Sequence, residues 1–480
     1  MNKGVYAMSR PIYELLSTAA LTALGTASLV AVHHHYRRQT QPEARLQDYA
    51  QGLARLGGMR RPPYRTHKIT TAHITTLHPR PVCWVSGVAA MPKADNLASL
   101  KGNGSGSNNS NVNKNDANNN DFGVVGIDAD RQIVWQTTMP ERVHDIVVQP
   151  SYDGINNNSA ENRCIQQRDV VVMGRRPSEW FWVLDTATGE VKFAIQAATN
   201  RHFYGHACYS LDGALLYVTE NDTINLVGTI GVYNVHQGYQ KTAEFDAYGI
   251  GPHELIMHPD SDTLIIANGG IKTEKASREE LNLDTMQPAL VYLNRHNGAL
   301  LEHVIPEHNQ MSVRHLAVHH DGTVIIGIQF QGDKHINVPL VLTHQRGEEF
   351  LKPLHMPDNQ WQRFHHYIAS VAVDSEHNLV CATSPFGGCA AIFDSITGQL
   401  IDADSILDCA GVSILAREDQ AGFMVSDGLG QLTTLHMVDD LINGMTGNLS
   451  NNDKSHSFSN RIIKHSQTHA MSFDNHLQAL

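Results

Sequence analysis

HACYSLDGALLYVTEND at residues 206–222, HELIMHPDSDTLIIANGGI at 253–271 and HLAVHHDGTVIIGIQFQGD at 315–333 are versions of one unit. Each reads as a histidine, a short apolar strand, a turn carrying Asp or Gly, a β-branched strand and a polar tip. The same frame continues without the histidine in SVAVDSEHNLVCATSPFGG from Ser370 and GVSILAREDQAGFMVSDGLG from Gly411. An earlier version opens at Val143-His144-Asp145 and reaches DVVVMGRRP only after an Asn-rich insertion. Self-similarity at this spacing is the mark of propeller blades.

Most units add two outer strands. Trp182 to Asp185 precedes Thr188-Gly189-Glu190, Thr229 to Asn234 precedes Gln237-Gly238, Ala289 to Asn294 precedes Asn297-Gly298, and Ala390 to Asp394 precedes Thr397-Gly398. A strand ending in Asp or Asn, a Gly turn and another strand make a hairpin. Counting an opening unit from Val82 through FGVVGIDADRQIVWQ, the pattern predicts an all-β, seven-bladed propeller with four antiparallel strands per blade. The propeller is expected over residues 66–440, with Thr66 to Thr76, rich in Thr and Ile, as the strand that closes the ring beside the last blade.

Residues 1–38 read as a signal sequence or membrane anchor, because Lys3 and Arg10 precede an uncharged run from Leu15 to Val32. Residues 39–65 read as a linker and 441–480 as a polar C-terminal tail. The stretches Gly102 to Asp121, Asn156 to Asn162 and Asn448 to Asn460 have too little apolar surface to pack, so they are expected to be disordered insertions on loops. Export to the periplasm, free or held at the inner membrane, follows from the apolar run.

Composition fits a large β-domain, with 41% hydrophobic residues. A net charge of −12 without a basic stripe argues against nucleic acid as a partner. The cysteines Cys83, Cys164, Cys208, Cys381, Cys389 and Cys409 lack C-x-x-C spacing and read as buried thiols in strands.

RHFYGHACYSLDGALLYVTEND, GIGPHELIMHPDSDTLIIANGGI, REELNLDTMQPALVYLN and SVRHLAVHHDGTVIIGIQFQGD closely resemble the exported bacterial family called domain of unknown function 1513. The resemblance covers roughly Val82 to Leu435. It implies a seven-bladed propeller and a periplasmic role in iron or metal handling, beside imelysin-like or haem-containing iron-uptake proteins. Its members usually carry a twin-arginine signal, whereas this chain has Ser9-Arg10-Pro11.

In a propeller the connection into the innermost strand shares a face with the turn between the second and third strands. His144, His206, His253 and His315 should therefore enter one rim from successive blades, with Glu254 beside them as a further metal ligand. Arg175, Arg176, Glu220, Asn221, Asn268, Arg314 and Gln329 are the candidate ligand-binding residues around them. Imidazole suits iron, copper and zinc, so the mouth is expected to bind a metal ion, a metal chelate or haem. The competing reading is structural, with each histidine tied to the neighbouring blade's backbone. The remaining histidines, including His319-His320 and His365-His366, read as solvated or incidental. No G-x-S-x-G, P-loop or H-E-x-x-H motif is present, so turnover is not indicated. A metal-dependent lactonase-like hydrolase using Glu220, Asn221, Asn268 and Asp427 stands as an alternative, as does a non-catalytic interaction platform.

Overall fold

The computed structural model describes residues 66–67, 74–77, 80–91, 122–151, 168–176, 178–273, 280–416, 420–437 and 462–480. They form seven antiparallel sheets, with three short 3-10 segments as the only helical turns among the described residues. The innermost strands, in blade order, are Ser472–Ala479, Val143–Val148, Arg201–Tyr209, Pro252–Met257, Met311–Val318, Ser370–Asp374 and Cys409–Ile414. Each packs against the next and the last against the first, so the ring is closed. The expected seven-bladed propeller is the observed fold.

Local chemistry explains the repetition. Asp185 Oδ1 accepts the backbone N–H groups of Ala187 and Thr188, and Asp394 Oδ1 does the same for Ile396 and Thr397. Asn294 Oδ1 takes those of His296 and Asn297, and Asn234 Oδ1 that of Gln237. A short polar side chain that bonds its own turn is what makes Asp and Asn turn residues. Apolar side chains then fill the gaps between blades, such as Trp135, Val143 and Trp182 between the first and second, and Phe181, Phe203 and Tyr233 between the second and third. Each such buried side chain contributes roughly 1.5–3 kcal/mol relative to exposure.

Ring closure differs from expectation. Thr66–His67 adds an outer strand to Val191–Gln196 of the second blade, and Ile74–Thr76 adds one to Ile133–Met139 of the first. Neither joins the first blade to the last. The closing strand is Ser472–Ala479, which pairs with Trp84–Ala90 as the inner strand of the first blade. Ile462–Thr468 completes the seventh blade. The predicted C-terminal tail is thus corrected over residues 462–480, which are blade strands.

The apolar run Leu15 to Val32, the predicted linker and the three Asn-rich stretches lie outside the described residues. Among the described residues no helix is long and apolar enough to cross a membrane. Cys83, Cys208, Cys381, Cys389 and Cys409 are buried in the blades, as expected, and Cys164 lies outside the described residues. His319, read as solvated or incidental, is buried as well, and its Nε2 lies 3.1 Å from Asn378 Oδ1.

Candidate functional site

The inner strands share an irregularity at the place where their histidines sit. Pairing to the second strand shifts between Val143 and Ile146, Phe203 and Ala207, Pro252 and Glu254, and Val313 and His315. The closing strand shifts over Phe473 to Leu477. Bulges of this kind re-aim side chains at barrel rims and sites. Thr219 supports the one in the third blade: its hydroxyl donates to His206 O at 3.0 Å and accepts from His206 N at 3.3 Å.

Counting back three residues from the last paired residue of each strand (Ala479, Val148, Tyr209, Met257, Val318) gives His476, Asp145, His206, Glu254 and His315. One residue earlier stand Asn475, His144, Gly205, His253 and Arg314. The four histidines aligned in sequence therefore occupy two tiers, His206 and His315 in one, His144 and His253 in the other. Val371 and Gly411 hold the first-tier positions of the sixth and seventh blades, which leaves the polar cluster on one side of the axis.

The first tier alternates imidazole and carboxylate. His206 Nδ1 lies 3.2 Å from Asp145 Oδ2, His315 Nδ1 lies 3.0 Å from Glu254 Oε2, and His476 Nδ1 lies 3.8 Å from Asp145 Oδ1. Each acid also reaches the next strand's backbone, Asp145 accepting from Ala207 N at 3.4 Å and Glu254 from Leu316 N at 3.3 Å. These contacts tie neighbouring blades, but the bonds to the next strand's backbone that the competing reading gives to the histidines are made here by Asp145 and Glu254.

They occupy only part of the site. His206 Nε2, His144 Nδ1, His253 Nδ1 and His476 Nε2 are buried with no hydrogen-bond partner. The His206 ring centroid lies 4.6 Å from those of His144 and His253, 5.0 Å from His476 and 5.9 Å from His315. Ligand atoms of His206, His253, Glu254 and His315 fall within 4.8 Å of one another, and those of His144, His206 and His476 form a second such set. Tetrahedral ligands 2.1 Å from a zinc-sized ion stand about 3.4 Å apart, so small side-chain rotations would close either set.

Burial holds the His144, His253 and His315 imidazoles well below their ordinary pKa, with neighbouring imidazoles and Arg groups adding to the effect. It takes His476 down to about 3 against the pull of Asp145. His206 goes the other way: burial opposes its charge, but Asp145 beside it more than compensates. Burial pushes Glu254 up to about 8, with His206 opposing and Asp145 reinforcing.

Gly205 makes room for this packing. Its φ is +110°, and a Cβ there would stand 2.6 Å from His144 Cδ2. Such a backbone favours glycine.

Arg175, Arg176 and Arg314 lie with the aromatic side chains of the mouth. Arg176 stacks over Tyr204 at 5.0 Å and donates to Thr273 Oγ1 at 2.8 Å. Arg175 Nη1 is 3.8 Å from Asp474 Oδ1, whose carboxylate takes two bonds from Arg142 at 2.6 and 2.8 Å. The other ligand-binding candidates lie on second strands, not on the inner strands that carry the histidines. Glu220 turns into its blade, accepting from Tyr233 OH at 2.7 Å and Lys241 Nζ at 2.6 Å. Asn221 is buried on the same strand, and Asn268 donates to Ala247 O at 2.9 Å. Asp427 bonds its own turn through Leu429 N and Gln431 N. Gln329 lines a cavity of about 780 Å³ with Phe330, His366, Tyr367 and Phe386. Glu220 and Asp427 are thus taken up by bonds inside their own blades.

Sequence reasoning missed His476, since its strand was read as tail, and it missed that Asp145 serves two imidazoles. The signal for His476 was His476-Leu477, in frame with His315-Leu316.

Among solved structures the chain is similar to Kuenenia stuttgartiensis hydrazine synthase, with 13% identity, a TM-score of 0.48, and coverage of 64% of this chain and 86% of that one. It is also similar to a chain of a mitotic checkpoint complex, with 14% identity, a TM-score of 0.42, and coverage of 57% and 72%. No curated protein matches. Residues 160–480, well over half of the chain, match the family described as "Protein of unknown function (DUF1513)", and the blade repeats that carry the fold fall largely in that span; the chain belongs to this family.

Proposed function

We propose that the channel mouth binds a first-row transition-metal ion through His206, His253, His315 and Glu254, with His144 and His476 beside them, and that the chain acts in metal handling without turnover. The observation that carries this reading is the set of buried imidazole nitrogens that lack partners yet converge within ligand reach. Buried polar groups are normally satisfied, and a cluster of exceptions calls for an occupant. Asp145 strengthens the case, because a carboxylate on one imidazole nitrogen orients the other toward a metal. Rings whose centroids stand 4.6 to 5.9 Å apart leave no gap for a planar macrocycle between them, so an ion or a small chelate fits this reading better than haem.

Periplasmic location and a partnership with imelysin-like or haem-containing iron-uptake proteins belong to the same proposal, on the resemblance of the blade motifs and the apolar run near the amino terminus. Calorimetry with zinc, copper and ferrous ions tests the site. The wild type should show saturable binding, and His206→Ala, His253→Ala or His315→Ala should each weaken it at least tenfold with the fold intact. Loss of stability with binding unchanged would show that the histidines serve only as ties between blades. Absence of saturable binding by every ion would leave an interaction platform in front.

A further inference from the structure

The second tier contains a half-buried cation, Arg314, that forms no ion pair with a described carboxylate. Arg314 stands in the fifth blade where His253 stands in the fourth and His144 in the second. Its Nε is buried without a hydrogen-bond partner, and no carboxylate pairs with it among the described residues. The groups around it are Arg176, the Tyr204 and Tyr367 hydroxyls and, farther off, Glu280, together with the neighbouring imidazoles His206, His253 and His315. Arg175 adds to the surplus. Its Nη1 is also buried without a hydrogen bond, and the nearest carboxylate, Asp474, is already held in a two-bond grip by Arg142.

Both guanidiniums are half-buried, yet each keeps a buried nitrogen without a hydrogen-bond partner, and an unsatisfied buried donor is costly. A guanidinium is also a planar fork suited to two parallel bonds with a carboxylate. We propose that Arg314, with Arg175, forms a carboxylate-binding subsite next to the imidazole cluster, so that the metal is taken as an anionic carboxylate chelate and not as a bare ion. This rests on the metal reading above, which supplies the ion. The protein's nitrogens take the open coordination positions while Arg314 takes a carboxylate of the chelator. Arg176 is engaged by Thr273 and Tyr204, so it borders the subsite without forming it.

The test titrates the full chain with zinc alone, citrate alone and zinc citrate, comparing the wild type with Arg314→Met and Arg314→Gln. Zinc citrate should bind the wild type at least tenfold more tightly than either variant, while zinc alone binds all three within about twofold. Thermal stability should hold or rise in Arg314→Met, because the change removes a charge that has no partner; a marked fall would assign Arg314 to the fold and overturn the subsite. Equal affinity of wild type and variants for zinc citrate would overturn it as well, and leave the metal reading standing. Arg314-dependent binding of citrate without any binding of zinc would sustain the anion subsite and remove the metal reading. Binding of none of the three would remove both.

Discussion

Asp145 decides which face His206 turns to the channel. Its carboxylate holds Nδ1 and accepts from the next strand's backbone, so Nε2 is left buried and unpaired. Asp145→Asn should therefore weaken metal binding by about 10- to 100-fold, the usual effect of losing the group behind a metal-binding histidine. Calorimetry would read the loss, and an unchanged affinity would show that His206 is not oriented through this contact. Gly205 carries the complementary prediction. Gly205→Ala forces a side chain into a positive-φ position and against His144, and should cost roughly 1–3 kcal/mol of stability in a denaturant titration. The aligned histidines were legible as a repeat, but their division into two tiers was not, because His144 and His253 stand four residues before the last paired residue of their strands while His206 and His315 stand three, an offset that alignment on histidine conceals.

Within a blade, the outer strands carry polar networks that were read as binding groups. Glu220 had the look of a rim ligand because it lies at the polar end of a strand. The structure gives both its oxygens to Tyr233 and Lys241, and Gly231 is bare where a Cβ would stand 2.0 Å from Glu220 Oε1. Glu220→Gln should lower stability by roughly 3 kcal/mol, since breaking a buried pair strands its partner, and should leave metal binding unchanged. Chemical unfolding and calorimetry on the one variant would separate the two roles. Glu244 bonds Lys241 and Arg201 at the edge of the same blade. Burial opposes its charge, but those two cations hold its carboxyl down to about 2. A depressed acid stabilises the fold above its unfolded value, near 4.3, and loses that contribution as pH falls toward its folded value. The difference in melting temperature between wild type and Glu244→Gln should thus be full at neutral pH and shrink through the acid range between those two values; a constant difference would rule out linkage through Glu244. The hairpins around these networks were readable, because Asp or Asn followed by Gly acts through its own turn and needs no distant partner.

For the ring as a whole, blade number followed from the repeats while closure did not. SFDNHLQA at residues 472–479 lacks the β-branched alternation that marks a strand, since Asp474 and His476 serve the polar channel and its mouth. An inner strand of a polar channel looks like tail when read alone, and the Thr- and Ile-rich segment near residue 70 looks like the better strand although it only decorates two outer edges. Removing residues 472–480 should open the first blade, expose Trp84, Val88 and Val125, which pack with Phe473 and Leu477, and abolish a single cooperative unfolding transition. Removing residues 66–76 should leave cooperativity in place. Differential scanning calorimetry of the two truncations compares them directly, and a cooperative transition in the first would show that the ring holds without its last strand.

That closing strand also sets an order of events during synthesis. Trp84 meets Ala479 only after every other blade strand has emerged, so the longest loop in the domain closes last, and contacts so far apart in sequence form slowly. His476 and Asp474 arrive with it. Until then Asp145 lacks one of its two imidazoles and Arg142 lacks its carboxylate. A nascent chain therefore lacks the His144, His206 and His476 grouping through nearly all of its production, and that grouping is assembled only when the last strand arrives.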